Sequence, residues 1–367
     1  MQVSRLTFEG FRNLKTGAFE PGPGVNVIVG ENAQGKTNLL EAIWLFTGTK
    51  SFRSAKDSEL IAFSQPQSRL TLDFVAENRE QEAEIVIQSR RTATLNGVKQ
   101  SSAAKLAGVF CGIVFSPVHL SLIKGGPAER RRLIDAAYCQ LRPSYVKTLS
   151  EYARILSQRN ALCKARDISD AAEEMMDLWD RQLAQTGCRI IHARQRYLQR
   201  MSTVAREIYG GLSSGKESFD LTYTSTLSVI PEETPAEIAV KLYEALRSHR
   251  RDDYGAGCTT IGPHRDDMEV LINGCSARSF GSQGQQRSAV LAIKLAEAAL
   301  LEEVTGEKPI ALLDDVMSEL DHTRQEYILN HIQDWQVFIT CCDAEPLKVL
   351  KNGHRTFVKD GKLSTKL

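Results

Sequence analysis

A chain of 367 residues, 42% hydrophobic and 25% charged, has room for two domains or for one large domain with an insertion, and disorder is a poor reading of the whole. Its formal net charge of +1 gives no global field toward nucleic acid or an anionic membrane, so such binding must come from local clusters. The opening MQVSRLTFEGFRNL lacks the apolar core of a signal peptide, and runs such as VNVIV and IALL are too short to span a bilayer. A cytoplasmic location without membrane association is the default. None of the cysteines has CxxC or zinc-site spacing, so they read as small buried hydrophobes.

In chain order, Val3, Arg5 and Thr7 alternate with Leu6 and Phe8, and Val25 to Val29 is an apolar run that ends at a glycine loop. Asn38 to Phe46 has helical spacing, with Leu39, Leu40, Ile43 and Leu45 apolar. Leu70 to Val75, Ala83 to Ile87 and Ala93 to Lys99 read as strands with a hairpin, Asn96-Gly97 giving the turn, and Val109 to Phe115 as another strand. From about Ala128 to Tyr209 the composition turns to Arg, Ala, Leu, Glu and Gln, with Pro143 the one proline, which predicts several long helices. Lys216 to Val229 returns to strand and Pro235 to Arg251 to helix. Val270 to Asn273 is a short strand, Ser288 to Val304 a periodic helix, and Ile310 to Leu313 and Val337 to Thr340 are buried strands. The layout is an α/β domain divided in sequence by a mostly helical insert: an N-terminal lobe over 1–118, the insert over 119–255 and a C-terminal lobe over 256–367.

GENAQGKT, Gly30 to Thr37, matches G-x-x-x-x-G-K-[ST] between an apolar strand and a helix, as a phosphate-binding loop requires. Gly30 and Gly35 let successive backbone N–H groups face a phosphate, and the helix terminus adds partial positive charge. Glu31, Asn32, Ala33, Gln34 and Asn38 complete the loop around ATP. Lys36 reaches the β- and γ-phosphates, and the Thr37 hydroxyl is a ligand for Mg²⁺.

A second carboxylate must hold the cation and orient water. Ile310 to Leu313 ends in Asp314-Asp315, and alternation along the strand assigns Asp314 to Mg²⁺ and Asp315 to the attacking water. A third element, Ser279 to Arg287 before the helix near Ser288, is rich in small residues and Gln and offers a second anion-binding end. An ordinary N-cap loop is the alternative on local grounds. Since the first loop already serves one phosphate group, the second would cap the γ-phosphate of a nucleotide bound by another copy of the chain.

GxxxxGKT, an S-Q-G-Q loop, and a hydrophobic strand ending Asp-Asp before Ser318-Glu319-Leu320-Asp321 resemble the Walker A, signature, Walker B and D-loop order of ABC-type ATPases. LTFEGFRNL with GENAQGKTNLLEAI is similar to their SMC-like branch. VFSPVHLSLIKGGPAERRRLID, GPHRDD and FGSQGQQRSAVLAIKLAE resemble the RecF family of bacterial recombinational repair, over the whole chain. The resemblance implies an ABC/SMC-like P-loop ATPase head made from the N- and C-terminal segments. It further implies an ATP-dependent homodimer that clamps DNA at single-strand gaps, helps load the recombinase with mediator proteins of the pathway, and hydrolyses ATP slowly under DNA stimulation. Carried over by position, Ser282, Gln283, Gly284 and Gln285 reach the partner's ATP, Ser318 and Asp321 lie at the dimer seam, and Arg12 and Asn13 lie near the nucleotide.

Two positions depart from relatives. The last strand runs Thr340-Cys341-Cys342-Asp343 where transporters have a histidine before Asp, and Asp315 stands where many relatives have Glu. For DNA, Lys124 to Arg166 holds ten basic residues against three acids, and Arg189 to Arg206 holds five arginines and no acid. Arg130, Arg131, Arg132, Arg194 and Arg196 are the candidate contacts of a salt-sensitive phosphate surface, with a solvated helix face as the plain alternative. An SMC-type chromosome-organising head is the rival function. Against it stand the short insert, Pro143 and Gly210-Gly211, which leave no room for a long zipped arm.

Overall fold

A computed structural model describes residues 1–63, 65–165, 169–317, 320–342 and 353–365. Strand β1 (Gln2–Glu9) buries Val3, Leu6 and Phe8 together. Strict alternation puts Val3 on the opposite face from Leu6, but the pairing shifts register between Val3 and Arg5, and this bulge turns Val3 into the core. β2 (Gly17–Phe19) and β3 (Val25–Val29) follow, then α1 (Lys36–Trp44). β4 (Ser68–Ala76), β5 (Arg79–Ile87), β6 (Arg91–Leu95) and β7 (Val98–Lys99) pair antiparallel in succession. Asn96 and Gly97, both at positive φ, close the last hairpin. Next come β8 (Gly112–Phe115), α2 (Ser121–Lys124), α3 (Pro127–Leu141), α4 (Tyr145–Ala165) and the 43-residue α5 (Asp170–Leu212). The chain continues through β9 (Phe219–Thr224), α6 (Pro235–Ser248), α7 (Arg250–Ala256), β10 (Asp267–Ile272), β11 (Cys275–Ser276) and α8 (Ala277–Phe280). It ends with α9 (Gln283–Thr305), β12 (Ile310–Asp314), α10 (His322–His331), β13 (Val337–Cys341), β14 (His354–Lys359) and β15 (Lys362–Ser364).

Two compact units result. The first combines Met1–Lys124, Ile208–Glu217 and Ser282–Leu367, and the second combines Gly125–Glu207 with Ser218–Gly281. The second unit takes in β9, β10 and β11 as one three-stranded sheet, and Ile208–Glu217 returns to the first unit between its two stretches.

The first unit holds two six-stranded sheets. One is antiparallel, in the order β2-β1-β4-β5-β6-β7. The other runs β15-β14-β3-β13-β12-β8, with parallel pairing from β14 through to β8. This second sheet interleaves the two ends of the chain: β3 lies between β14 and β13, and β12 between β13 and β8. A single core joins both sheets and α1, with Leu6, Phe74, Leu39, Ile43, Leu312 and Phe338 all buried in it. Burial on both sides explains why β3, β12 and β13 read as continuous apolar runs.

The second unit packs Tyr145, Tyr152, Ile155, Leu183, Ile191, Ile238 and Leu242 around α4, α5 and α6. Arg159 is fully buried there, donating to Asp180 and Asp253 at 2.6 Å each and to Thr259 at 2.8 Å. A buried guanidinium persists only with such complete pairing. Among the described residues, no helix is long and apolar enough to cross a membrane.

Candidate functional site

β3 delivers the chain into the loop Gly30–Gly35, and α1 starts at Lys36 with Gly35 as N-cap at φ 116°. A side chain at Gly35 meets two obstacles, that left-handed backbone and Asn13 Oδ1 at 2.9 Å from a Cβ. Lys36 is buried, and its ammonium donates to the carbonyls of Gly30 and, at 3.2 Å, Glu31. Its third contact is Cys342 Sγ at 3.3 Å, and that thiol lies 3.1 Å from Asn32 Oδ1. The ammonium is thus held inside the loop by two backbone carbonyls and one thiol. A cleft of about 1390 Å³ opens over it, lined by Arg12, Asn13, Glu31 to Asn38, Arg53 and Asp315 among others.

Neighbouring chain braces the loop. Asn13 Nδ2 donates to Ala33 O at 2.9 Å and Asn38 Nδ2 to Asn13 Oδ1 at 2.7 Å. The β14–β15 turn adds Gly361 N to Gln34 O at 3.1 Å and Asp360 N to Gln34 Oε1 at 2.5 Å. A Cβ on Gly361 would fall 2.0 Å from Asn13 O, so only glycine fits this turn against the loop.

Asp314 ends β12, buried, with Oδ1 accepting from Thr37 Oγ1 at 2.8 Å and Thr340 Oγ1 at 3.0 Å. Burial raises its pKa above the ordinary carboxylate value and the charge of Asp315 adds to this, while the two threonine hydroxyls pull the other way. Asp315 follows at φ 54°, a left-handed conformation that Asp tolerates better than most residues, with its N–H on Thr340 Oγ1 at 2.9 Å. This turn, and not simple alternation, brings Asp315 to the cleft while Asp314 stays behind it. Thr37 and Asp314 are hard oxygen donors side by side, a set that suits Mg²⁺. Among the described residues, no three His, Cys, Asp or Glu side chains gather to hold a metal by themselves. A cation here would take its other oxygens from phosphate and water.

Arg12 lines the cleft, but its Nε and Nη2 donate to Glu41 at 3.0 and 3.1 Å. Glu41 is fully buried on α1 and also receives Ser51 Oγ, with Arg53 Nη1 at 3.8 Å. Sequence reading missed Glu41, Arg53 and the β14–β15 turn. A carboxylate on the apolar face of α1 was the available signal for the first.

The S-Q-G-Q loop is not a loop before the helix; it is the helix start. Ser282 caps α9, accepting from Gln285 N at 3.2 Å while Gln285 Oε1 accepts from Ser282 N at 2.7 Å, a capping box. Ser282 and Gln283 are exposed, and Gly284 O faces Arg324 Nη2 at 3.4 Å. None of Ser282, Gln283, Gly284 and Gln285 lines the cleft at Lys36. Asp321 caps α10 through Arg324 N at 3.0 Å. Ser318 and Asp343 lie outside the described residues.

The basic candidates divide. Arg130 is buried and bidentate on Asp267 at 2.7 and 2.8 Å, and Arg194 is buried and bidentate on Asp135 at 2.9 and 2.8 Å. Burial opposes the charge on Arg194, yet Asp135 outweighs it and holds the guanidinium above its ordinary pKa. Both are corrected from surface contacts to internal ion pairs. Arg131 is half-buried, with Nη1 on Asp266 O at 2.6 Å, and Arg132 and Arg196 are exposed.

A sequence model of the RecF/RecN/SMC N-terminal domain family matches residues 2–365. The DNA replication and repair protein RecF of Acetivibrio thermocellus is 35% identical over 361 residues, covering 98% of each chain. Its counterpart in Heliobacterium modesticaldum is 40% identical over 344 residues, covering 93% of this chain and 92% of its own. A solved structure of the recombination mediator protein RecF-ATPrS in the RecFOR pathway superposes with a TM-score of 0.92 at 36% identity, covering 99% of this chain and 97% of that one. The Smc head domain of Pyrococcus furiosus shares the fold, with a TM-score of 0.54 at 16% identity over 99% of this chain and 95% of that one.

Proposed function

We propose, on the premise that this chain belongs to the RecF family of DNA replication and repair proteins, that it is an ATP-dependent DNA-binding protein of recombinational repair and replication. Two copies close on DNA at single-strand gaps when ATP is bound, and with mediator proteins of the pathway they help load the recombinase. A solved relative at 35% identity is described as the recombination mediator protein RecF with ATP.

The observation that supports this reading is that the Ser282 helix start does not line the Lys36 cleft. Lys36, Thr37 and Asp314 form the phosphate and cation half, whereas Ser282 to Gln285 present a second helix terminus away from that cleft. A second copy brings the halves together. Its Ser282, Gln283, Gly284 and Gln285 meet the γ-phosphate, and Ser318 and Asp321 flank the seam.

Phosphate oxygens entering the loop replace the carbonyls of Gly30 and Glu31 as partners of the Lys36 ammonium. Thr37 and Asp314 would hold Mg²⁺, which when bound neutralises charge on the β- and γ-phosphates. Asp315, at the cleft wall, orients the attacking water. The shorter Asp in place of Glu suits slow hydrolysis that acts as a timer. Arg131, Arg132 and Arg196 remain the candidates for DNA phosphate contact.

ATP turnover measured with and without gapped duplex DNA tests the reading. Stimulation by the gapped duplex, lost in Lys36→Met, is the expected result. Equal turnover with and without DNA would overturn it.

A further inference from the structure

We infer that Phe63 supplies the stacking face for the purine base of the bound nucleotide. This rests on the nucleotide reading above and assigns the base end of the same cleft. Among the described residues that line the cleft, Phe63 is the one aromatic ring, and it is 101% exposed. A lone exposed apolar side chain needs no explanation by itself. Its position supplies one.

Arg12 N donates to Leu60 O at 2.9 Å, Ala62 N donates to Gly10 O at 2.8 Å, and Phe11 and Ile61 form an antiparallel bridge between them. Residues 60–62 therefore run beside 10–12, and Phe63 continues past the Gly10 end. The opposite end of this strip is Asn13, which holds the phosphate loop at Ala33 and Asn38. From Asn13 to Gly10 is three residue steps, at most roughly 10 Å of chain. A nucleotide held by its phosphates at Lys36 must extend its sugar and base across such a span.

The strip is fixed in place. A Cβ on Gly10 would lie 2.6 Å from Gln67 O, and Gln65 N donates to Ala62 O at 3.1 Å, so chain on both sides of Phe63 is anchored. The other groups at that end are Ser58, Glu59, Ile61, Ala62 and Gln65, and none of them offers a flat aromatic face. Every base has a π-face, and stacking on an aromatic ring reads that face with little regard to the groups at its edge. The site should thus favour purines over pyrimidines and discriminate weakly between adenine and guanine.

The test compares ATP with inorganic tripolyphosphate, which has no base, as ligands of full-length native protein, Phe63→Ala, Phe63→Trp and Lys36→Met in equilibrium dialysis. Phe63→Ala should weaken ATP about tenfold and leave tripolyphosphate unchanged. Phe63→Trp should keep native ATP affinity, and its added indole emission should be quenched by ATP but not by tripolyphosphate. If Phe63→Ala weakens neither ligand, or both equally, the base assignment is wrong. Should that variant not fold, the absence of ATP-specific quenching in Phe63→Trp overturns it instead. Retention of ATP by Lys36→Met would sink the underlying nucleotide reading. Loss of both ligands by Lys36→Met with ATP untouched in Phe63→Ala would remove the base assignment alone.

Discussion

Gln285 Nε2 donates to Glu217 Oε1 at 2.7 Å, while Tyr209 OH holds the other oxygen of that carboxylate at 2.6 Å. The side chain at the head of α9 is thereby oriented by the chain that leaves the end of α5. A carboxylate with one donor on each oxygen fixes Gln285 far better than solvent would. The Gln285 side chain is also half of the capping box with Ser282, so losing Glu217 loosens the whole helix start.

Glu217→Ala is expected to weaken ATP-driven self-association about tenfold, on the scale of one charge-assisted hydrogen bond. ATP binding by the isolated chain should not change, since Glu217 and Gln285 do not line the Lys36 cleft. Sedimentation with and without ATP, beside dialysis, separates these effects. An unaltered monomer–dimer shift would show that Gln285 does not work across the seam.

Lys36→Met should lower ATP affinity by about two orders of magnitude, because the charge-assisted bonds to phosphate vanish while the loop backbone remains. Melting temperature should hold nearly constant, as the ammonium bonds only to loop carbonyls and one thiol.

Arg12→Ala is expected to destabilise the protein by about 2 kcal/mol, less than the ~3–5 kcal/mol of a fully orphaned buried charge. Glu41 keeps Ser51, and Arg53 stands 3.8 Å away, so it is not left alone. Urea melts check this, and the loss should shrink when Arg12→Ala is made in a Glu41→Gln background.

Arg194 and Arg196 are two residues apart and should behave oppositely. Arg194→Ala leaves Asp135 without its bidentate partner and should lower the melting temperature. Arg196→Ala should spare stability and reduce the salt dependence of DNA binding by about one unit of slope. A DNA titration series in salt, paired with thermal melts, distinguishes the two.

His264 gives the pH prediction. Burial lowers its pKa from 6.5 to about 4, with Tyr152 OH 2.7 Å from Nδ1 and Thr259 O 3.0 Å from Nε2. Above pH 6.5 it is neutral whether folded or unfolded. Below that the unfolded chain takes up a proton that the fold refuses, so stability falls as pH drops toward 4, by up to about 1.4 kcal/mol per unit. The buried Asp266, raised by burial, offsets part of this at the acid end. Urea midpoints over that window should decline less steeply for His264→Asn.

The phosphate loop and Asp314 were legible because local order carries them: a strand, a glycine turn and a helix in one case, an apolar strand ending in acid in the other. The capping box was half legible. Ser282 and Gln285 stand at the right spacing, but small residues suggested a loop where they start a helix. Long-range partners were beyond reach. Arg130 looks like any surface arginine until Asp267, 137 residues later, closes on it. The β14–β15 turn braces Gln34 from 326 positions away, a contact that no periodicity encodes. Asp315 reached the cleft through a left-handed turn, which side-chain alternation cannot anticipate.

The interleaving of β3 between β13 and β14 has a consequence for synthesis. As the chain leaves the ribosome, β3 emerges early with both hydrogen-bonding edges open, and its two neighbours are made last. Throughout translation of the helical unit this apolar strand must be shielded, since exposed edges invite pairing with other chains. The nucleotide loop is the direct extension of β3. Newly made protein is therefore expected to complete the sheet behind this loop only after release of its C-terminal strands, and a truncated product is expected to be prone to aggregate.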